Sequence, residues 1–293
     1  MLDTAPPKIY VSKVPDTETT SIPSDAVELT SGVDGYMINS SIDGLARPDA
    51  EIARSALAGA DASRISGRQI PYRNIVLDII PMPEVNTNRE RLYNILPYGE
   101  TLRFYFEKWG KVVFIDGEIE KMDGSFAPGK PFHFGVSIIC PFPWFQSVRL
   151  HKARLDRHSD NLIYNTGDIP AGFIFRVDEP TDGTVFRAFR NLVIDVNGTQ
   201  FLTKKYDEYP TRGSFHPPVV LSTIPGKKSF GLELEDTDFF KIAFSSIDAK
   251  SQWPVLQSGK NIVKVSCTQL TTSGESNFED INWLVWRDTY SGV

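Results

Sequence analysis

Two cysteines in 293 residues, Cys140 and Cys267, cannot make a disulfide framework. Both sit in apolar, strand-like runs, where small buried hydrophobes kept reduced are expected. No apolar run approaches the ~18 residues that a membrane-crossing helix needs. The opening MLDTAPPKIY has an early acid and no apolar stretch behind it, so neither a secretory leader nor membrane insertion is expected. Positive charge is also short. Residues 1–148 hold 14 Lys+Arg against 19 Asp+Glu, a balance of −5, and the rest hold 17 against 18. Neither half is a basic surface that collects phosphates, which argues against sequence-specific nucleic-acid binding.

Reactive groups are equally sparse. There are four histidines, His133, His151, His158 and His216. His133 lies mid-strand in PFHFG opposite the apolar positions. His151 and His158 flank RLHKARLDRH at a separation too wide for a zinc pair, which favours a solvated charged strand. No G-x-S-x-G, no cysteine at a glycine turn and no P-loop is present. Acids cluster at Asp116, Glu118 and Glu120, and again at Glu233, Glu235, Asp236 and Asp238. Paired carboxylates can serve a glycosidase, but acids in strands more often face solvent and discourage edge pairing. The expectation is therefore no enzyme: no catalytic residue, no metal ligand and no cofactor site. Trp144, Trp253, Trp283 and Trp286 could stack sugars, yet Trp283 and Trp286, three apart, point to opposite sheet faces, so one belongs to a core.

What is present is β-forming. Phe and Tyr number 19 and 10, and a hydrophobic share of 41% suits a globular chain. Residues 1–33 read as an extended segment with room for one strand, near Ile9-Tyr10-Val11. Asp34-Gly35 then turns into a short strand. The stretch LARPDAEIARSALAGADASR (45–64) has room for a short helix but no broad apolar stripe, and reads as an excursion from the main body. An excursion this long in a compact domain usually has a function. Strand character runs from Arg68 to Pro83, followed by a helix over 88–96. Thr87 and Glu90 fit a capping box, Leu92, Ile95 and Leu96 form the core face, and Pro97 and Gly99 stop it.

Alternation follows. Leu102, Phe104 and Phe106 share a face, and Phe132, Phe134, Val136, Ile138 and Cys140 alternate as a half-buried strand. Asp116-Gly117 marks either a hairpin turn or a kink within a strand. The alternating strand runs into ICPFPWFQS (139–147), where Pro141 and Pro143 remove ladder donors and end it. The nonapeptide closes the first domain, with Pro141, Pro143, Trp144 and Phe145 as junction anchors and either X–Pro bond a candidate for cis. Beyond it come short strands at 161–165, 172–177, 185–195, 217–223, 228–234, 239–244, 261–267 and 281–287. Turns such as Asp182-Gly183 and Asn197-Gly198 separate them, the pattern of an antiparallel sandwich.

Several stretches in order resemble one family, the distal tail proteins of bacteriophages with long non-contractile tails. They are GYMINSSIDGL (35–45), GRQIPYRNIVLDI (67–79), NRERLYNIL (88–96), PYGETLRFYF (97–106), VVFIDGEIEKMD (112–123) and GVSIICPFPWF (135–145). In the second half YNTGDIPAGFIFRV (164–177), a Gly-Lys-Lys turn at 226–228, WPVLQSGKNIVKV (253–265) and YSGV (290–293) continue the resemblance. The N-terminal thirty-odd residues and the 46–63 stretch are longer than that pattern.

The resemblance implies a mainly β chain in two domains after an extended segment at 1–33. Residues 34–147 would be a tail-tube-like β-sandwich or split barrel with one packed helix, and 148–293 a galectin-like antiparallel sandwich. It further implies a structural virion protein whose hexameric ring joins the tail tube to the tail tip. Its partners would be other copies of itself, the tail tube protein, a tip or hub protein, and peripheral or receptor-binding proteins. Genomic DNA would pass through the lumen unbound, which the −5 balance of the first half suits. The 45–64 excursion is a natural arm for ring contacts. The competing expectation is a carbohydrate-binding sandwich that contacts host glycans.

Overall fold

A computed structural model describes residues 6–15, 19–38, 42–56, 63–125, 131–156, 159–177, 186–204, 219–232, 241–242, 246–271 and 282–293. Two compact units emerge, one of residues 1–149 with 290–293, the other of 150–289.

The first unit begins with β1 (Lys8–Lys13), β2 (Val27–Glu28), β3 (Tyr36–Ile38), β4 (Glu51–Ala56), β5 (Ser63–Gln69) and β6 (Arg73–Pro81). Helix α1 (Val85–Ile95) follows, then β7 (Leu102–Lys108), β8 (Lys111–Ser125), β9 (His133–Cys140) and β10 (Phe145–Ser147). The main sheet runs β2-β1-β7-β8-β9-β6-β3. Strand β8 serves two half-sheets: its first half pairs β7, and beyond Gly117 it pairs β9, with a bulge between Ile119 and Lys121. Asp116-Gly117 is therefore a bend within one long strand, not a turn. Alternating residues build one core. Ile9, Val11, Ile75, Leu77, Ile79, Phe104, Phe106, Ile115, Phe134, Val136 and Ile138 all point into it. Tyr105 and Phe114 are buried on the opposite face with Val148, so β7 is covered on both sides along its middle.

Helix α1 starts at Val85, earlier than the capping box places it. Glu84 is the N-cap without a side-chain bond, and Thr87 and Glu90 lie inside the helix, so no capping box forms. The run expected as strand from Arg68 to Pro83 is broken at 70–72 and ends at Pro81, and the helix is tied instead through Asn88. Its Nδ2 donates to the Met82 carbonyl at 2.8 Å, and its own carbonyl accepts from the Tyr36 hydroxyl at 3.1 Å. Leu92 and Leu96 are buried in the cluster that holds Phe104 and Phe134, and Ile95 packs on it from a half-buried position. Tyr93 meets Phe134 edge-on, ring centroids 5.6 Å apart.

The second unit contains β11 (His151–Arg154), β12 (Asn161–Asn165), β13 (Phe173–Val177), β14 (Phe186–Val196), β15 (Thr199–Leu202) and β16 (Val219–Ser222). It continues with β17 (Ser229–Leu232), β18 (Lys241–Ile242), β19 (Gly259–Thr271) and β20 (Asn282–Trp286). A six-stranded sheet, β11-β20-β13-β16-β17-β18, and a four-stranded sheet, β12-β19-β14-β15, share a single core. Phe173, Phe175, Leu221, Phe230 and Leu284 from the first meet Leu192, Ile194, Phe201, Val263 and Val265 from the second. Asn197, at φ 53, and Gly198 make the tight β14–β15 turn, a left-handed pair that asparagine and glycine tolerate best. Among the described residues the chain is thus mainly β with one α-helix and an antiparallel sandwich in its second half.

The units differ from the expected boundaries in three places, the first being the junction, which falls after Arg149. Residues 1–33 supply β1 and β2 to the main sheet of the first unit. Residues 290–293 belong to that unit too, although they follow the last strand of the sandwich. Asp182-Gly183, His158, His216 and the acids at Glu233, Glu235, Asp236 and Asp238 lie outside the described residues.

Candidate assembly site

The excursion at 45–64 is not helical. Strands β4 and β5 form an antiparallel hairpin of their own, paired to each other and, among the described residues, to no other strand. A bulge between Ala53 and Arg54 adds a residue on β5 and lets Ile52 and Ile65 fall on one face. Both are exposed, Ile65 by 59%, an unusual position for a β-branched side chain in water. A lone two-stranded hairpin is marginal by itself. Something must therefore fix its base.

That base is Arg73, the first residue of β6 and opposite Cys140 on β9. The residue is 2% exposed and has no carboxylate partner among the described residues; backbone carbonyls accept its N–H bonds. Nε donates to the Pro143 carbonyl at 2.7 Å, and Nη1 donates to Gly44 at 2.5 Å and Ala46 at 2.6 Å. Nη2 donates to Ser291 at 2.6 Å. Below the guanidinium lies the Phe145 ring, 4.4 Å to its centroid. Burial pushes Arg73 down to about 10, with Cys140 acting in the opposite sense, so the cation persists at neutral pH. A cation held by four carbonyl dipoles is strongly bonded, and each freed carbonyl would be a buried acceptor without a partner.

The nonapeptide now has a physical explanation. The two prolines stop the β9 ladder, and the released Pro143 carbonyl goes to Arg73. Pro141 is exposed, Pro143 is buried, and Trp144 is half-buried. Phe145 is fully buried in the first unit's core, edge-on to Phe106 at 5.3 Å. Neither X–Pro bond of the nonapeptide is cis; the cis bond among the described residues joins Met82 and Pro83.

Gly44 shows how tightly the hairpin's outgoing leg is set. At φ +82 an added Cβ would fall 2.0 Å from the Asn74 carbonyl oxygen, so only glycine fits. Beside it, residues Ala46, Pro48, Asp49, Glu51, Tyr72 and Asn74 line a cleft of about 450 Å³.

The other chemical candidates are occupied by structural contacts. Asp116 takes a bidentate bond from Arg103 at 2.7 and 2.9 Å, Glu118 accepts from the Thr101 hydroxyl, and Glu120 from Ser137. His151 stacks on Trp286 and sits 3.0 Å from Asp288, whose carboxylate also binds the amide and hydroxyl of Thr166. Among the described residues no group of three or more His, Cys, Asp or Glu could hold a metal ion, and no helix is long and apolar enough to cross a membrane. Trp286 is buried in the sandwich core, and Trp253 packs against it. Trp283 faces outward with the Lys152 ammonium 3.9 Å over its ring.

Two residues escape sequence reasoning. Arg73 looks like any strand-flanking arginine, because its acceptors are main-chain atoms from distant segments. Trp109 sits at the β7–β8 turn at φ 51, 69% exposed, with Lys108 over its ring at 4.5 Å. The signal was available in Lys-Trp-Gly-Lys between two alternating runs.

No protein-family model matches the sequence, and neither does any curated protein. Solved structures do. The Dit protein of phage SPP1, described as a paradigm of the hub adsorption apparatus in phages infecting Gram-positive bacteria, superposes with a TM-score of 0.60 at 13% identity, covering 87% of this chain and 94% of that one. Chains of the phage P2 baseplate in its activated conformation, with Ca or with Sr, give a TM-score of 0.45 at 10% identity over 96% of this chain and 98% of theirs. Across most of its length this chain has the fold of the SPP1 Dit protein.

Proposed function

We propose that the chain is a structural component of a phage tail, a hexameric ring at the distal end that joins the tail tube to the tip. One observation carries this reading: a fold shared with the SPP1 Dit protein along 87% of the chain, through both units. The β4–β5 hairpin is the arm that reaches a neighbouring copy. It is heterologous in kind, since its exposed Ile52–Ile65 face has no counterpart on itself, and such contacts close rings. The tail tube protein and a tip or hub protein bind the two faces of the ring, and the sandwich unit carries peripheral or receptor-binding proteins. The acidic first half, at −5, lets genomic DNA pass without adhering. No catalysis is part of this role.

A glycan platform on the sandwich would need a bare aromatic face. Trp283 has its ring capped by Lys152, and Trp253 and Trp286 are packed inward, so these tryptophans do not supply one, while Tyr164 on β12 stays 57% exposed. The test is immunogold labelling of intact phage tails with antibody to residues 150–289. Label confined to one tail end supports the proposal, and label along the tube or absent from particles refutes it.

A further inference from the structure

The hairpin's outgoing leg leaves β3, bridges β6 at Asp43–Val76 and passes Gly44 to Ala46 before β4 starts at Glu51. Its return leg ends at Tyr72, directly before Arg73. Both legs therefore meet at one guanidinium, and that guanidinium also holds a segment made after the whole second unit. Ser291 accepts from Arg73 across 218 residues of chain. The Val293 amide donates to the Leu45 carbonyl at 3.2 Å. Gly292 runs so close to the leg that an added Cβ would lie 2.9 Å from the Leu45 oxygen. Tyr290 and Val293 complete the hold by packing on the first unit's core.

We propose that residues 290–293 are a strap that fixes the base of the β4–β5 hairpin through Arg73 and Leu45, so the hairpin is set for its partner only after the second unit has been made. Arg73 is the positioning residue, and the strap supplies its fourth acceptor and the donor for Leu45. Before Ser291 emerges from synthesis, the leg lacks one of its fixed points and the hairpin swings. A nascent first unit then presents no rigid arm, which keeps unfinished chains out of the assembly. That consequence rests on the hairpin being the self-association arm; the strap's grip on the leg does not.

The experiment compares the full wild-type chain with Arg73→Met and Gly292→Val. The first reading is amide hydrogen exchange at 43–47 with tryptic cleavage at the exposed Arg54; the second is particle mass. Both variants should exchange and cleave about 10-fold faster, a change that corresponds to ~1.4 kcal/mol, with amides of the sandwich core unchanged and ring mass lost. Arg73→Met removes a buried cation and can disturb folding, so Gly292→Val decides: it displaces the strap and leaves Arg73 intact. Wild-type exchange and cleavage in Gly292→Val would overturn the strap. Faster exchange with rings intact would overturn its link to assembly. A wild-type chain that never associates would refute the ring reading, and the strap would still stand or fall on exchange at 43–47.

Discussion

Phe145→Ala tests whether the nonapeptide's aromatic belongs to the first unit's own core. Phe145 is 0% exposed, and truncating a buried phenylalanine costs about 3–5 kcal/mol in lost transfer energy and cavity. Two ring contacts push the loss toward the upper end. The edge-on partner Phe106 at 5.3 Å is worth about 0.5–1.5 kcal/mol. The Arg73 guanidinium at 4.4 Å loses a desolvated π face worth up to ~2 kcal/mol. We expect ~4–5 kcal/mol for Phe145→Ala. Phe145→Leu keeps much of the volume and loses both ring contacts, and should cost roughly 1–2 kcal/mol. Because the chain has two units, a single unfolding midpoint would mix them. The assay is therefore hydrogen exchange in urea, read at Leu77 and Ile79 for the first unit and Leu221 for the second. A loss under about 1 kcal/mol in the first unit, or a loss seen at Leu221 instead, would refute the placement.

Leu92→Ala empties a fully buried helix position and should lower first-unit stability by about 2–5 kcal/mol, checked by the same exchange readout; near-wild-type protection would put the helix on the surface. Burial pushes the Cys140 thiol from 9.0 up to about 12, against the opposing pull of Arg73. A raised folded value favours the protonated form, so its contribution is complete below pH 9 and lost as pH rises toward 12. Mass spectrometry after iodoacetamide at pH 8 should find Cys140 unmodified until the chain is unfolded, and prompt native labelling there would contradict the packing. Replacing Ile52 and Ile65 by serine should abolish self-association while leaving thermal unfolding within about 0.5 kcal/mol, as surface changes do. Unchanged particle mass in that double variant would remove the hairpin as the arm.

How much of this was readable from the residues depends on the range of the interactions. Period-two alternation in 102–106 and 132–140 identified strands because each side chain's burial is decided by its own position on the pleat. The same logic puts Trp283 and Trp286 on opposite faces, and the structure shows Trp286 to be the inward one. Helix α1 was legible in its apolar face and misread at its start, since a Thr-x-x-Glu pair proposes a cap that the Tyr36 and Asn88 bonds override. The 45–64 stretch reads as an excursion with room for a short helix, because the described side chains of its strands are exposed and impose no alternation. Arg73 and the 290–293 strap were illegible for a different reason. Their partners are carbonyls, which every residue has, brought together over as many as 218 positions.

Native mass spectrometry of the purified chain, across a concentration series and with a candidate tail tube protein added, tests the central claim most directly. The account predicts a closed species at six times the chain mass of 32.8 kDa, appearing without intermediate sizes of comparable abundance. A chain that remains single at every concentration and beside the candidate tube protein, or that grows into open filaments, would contradict it.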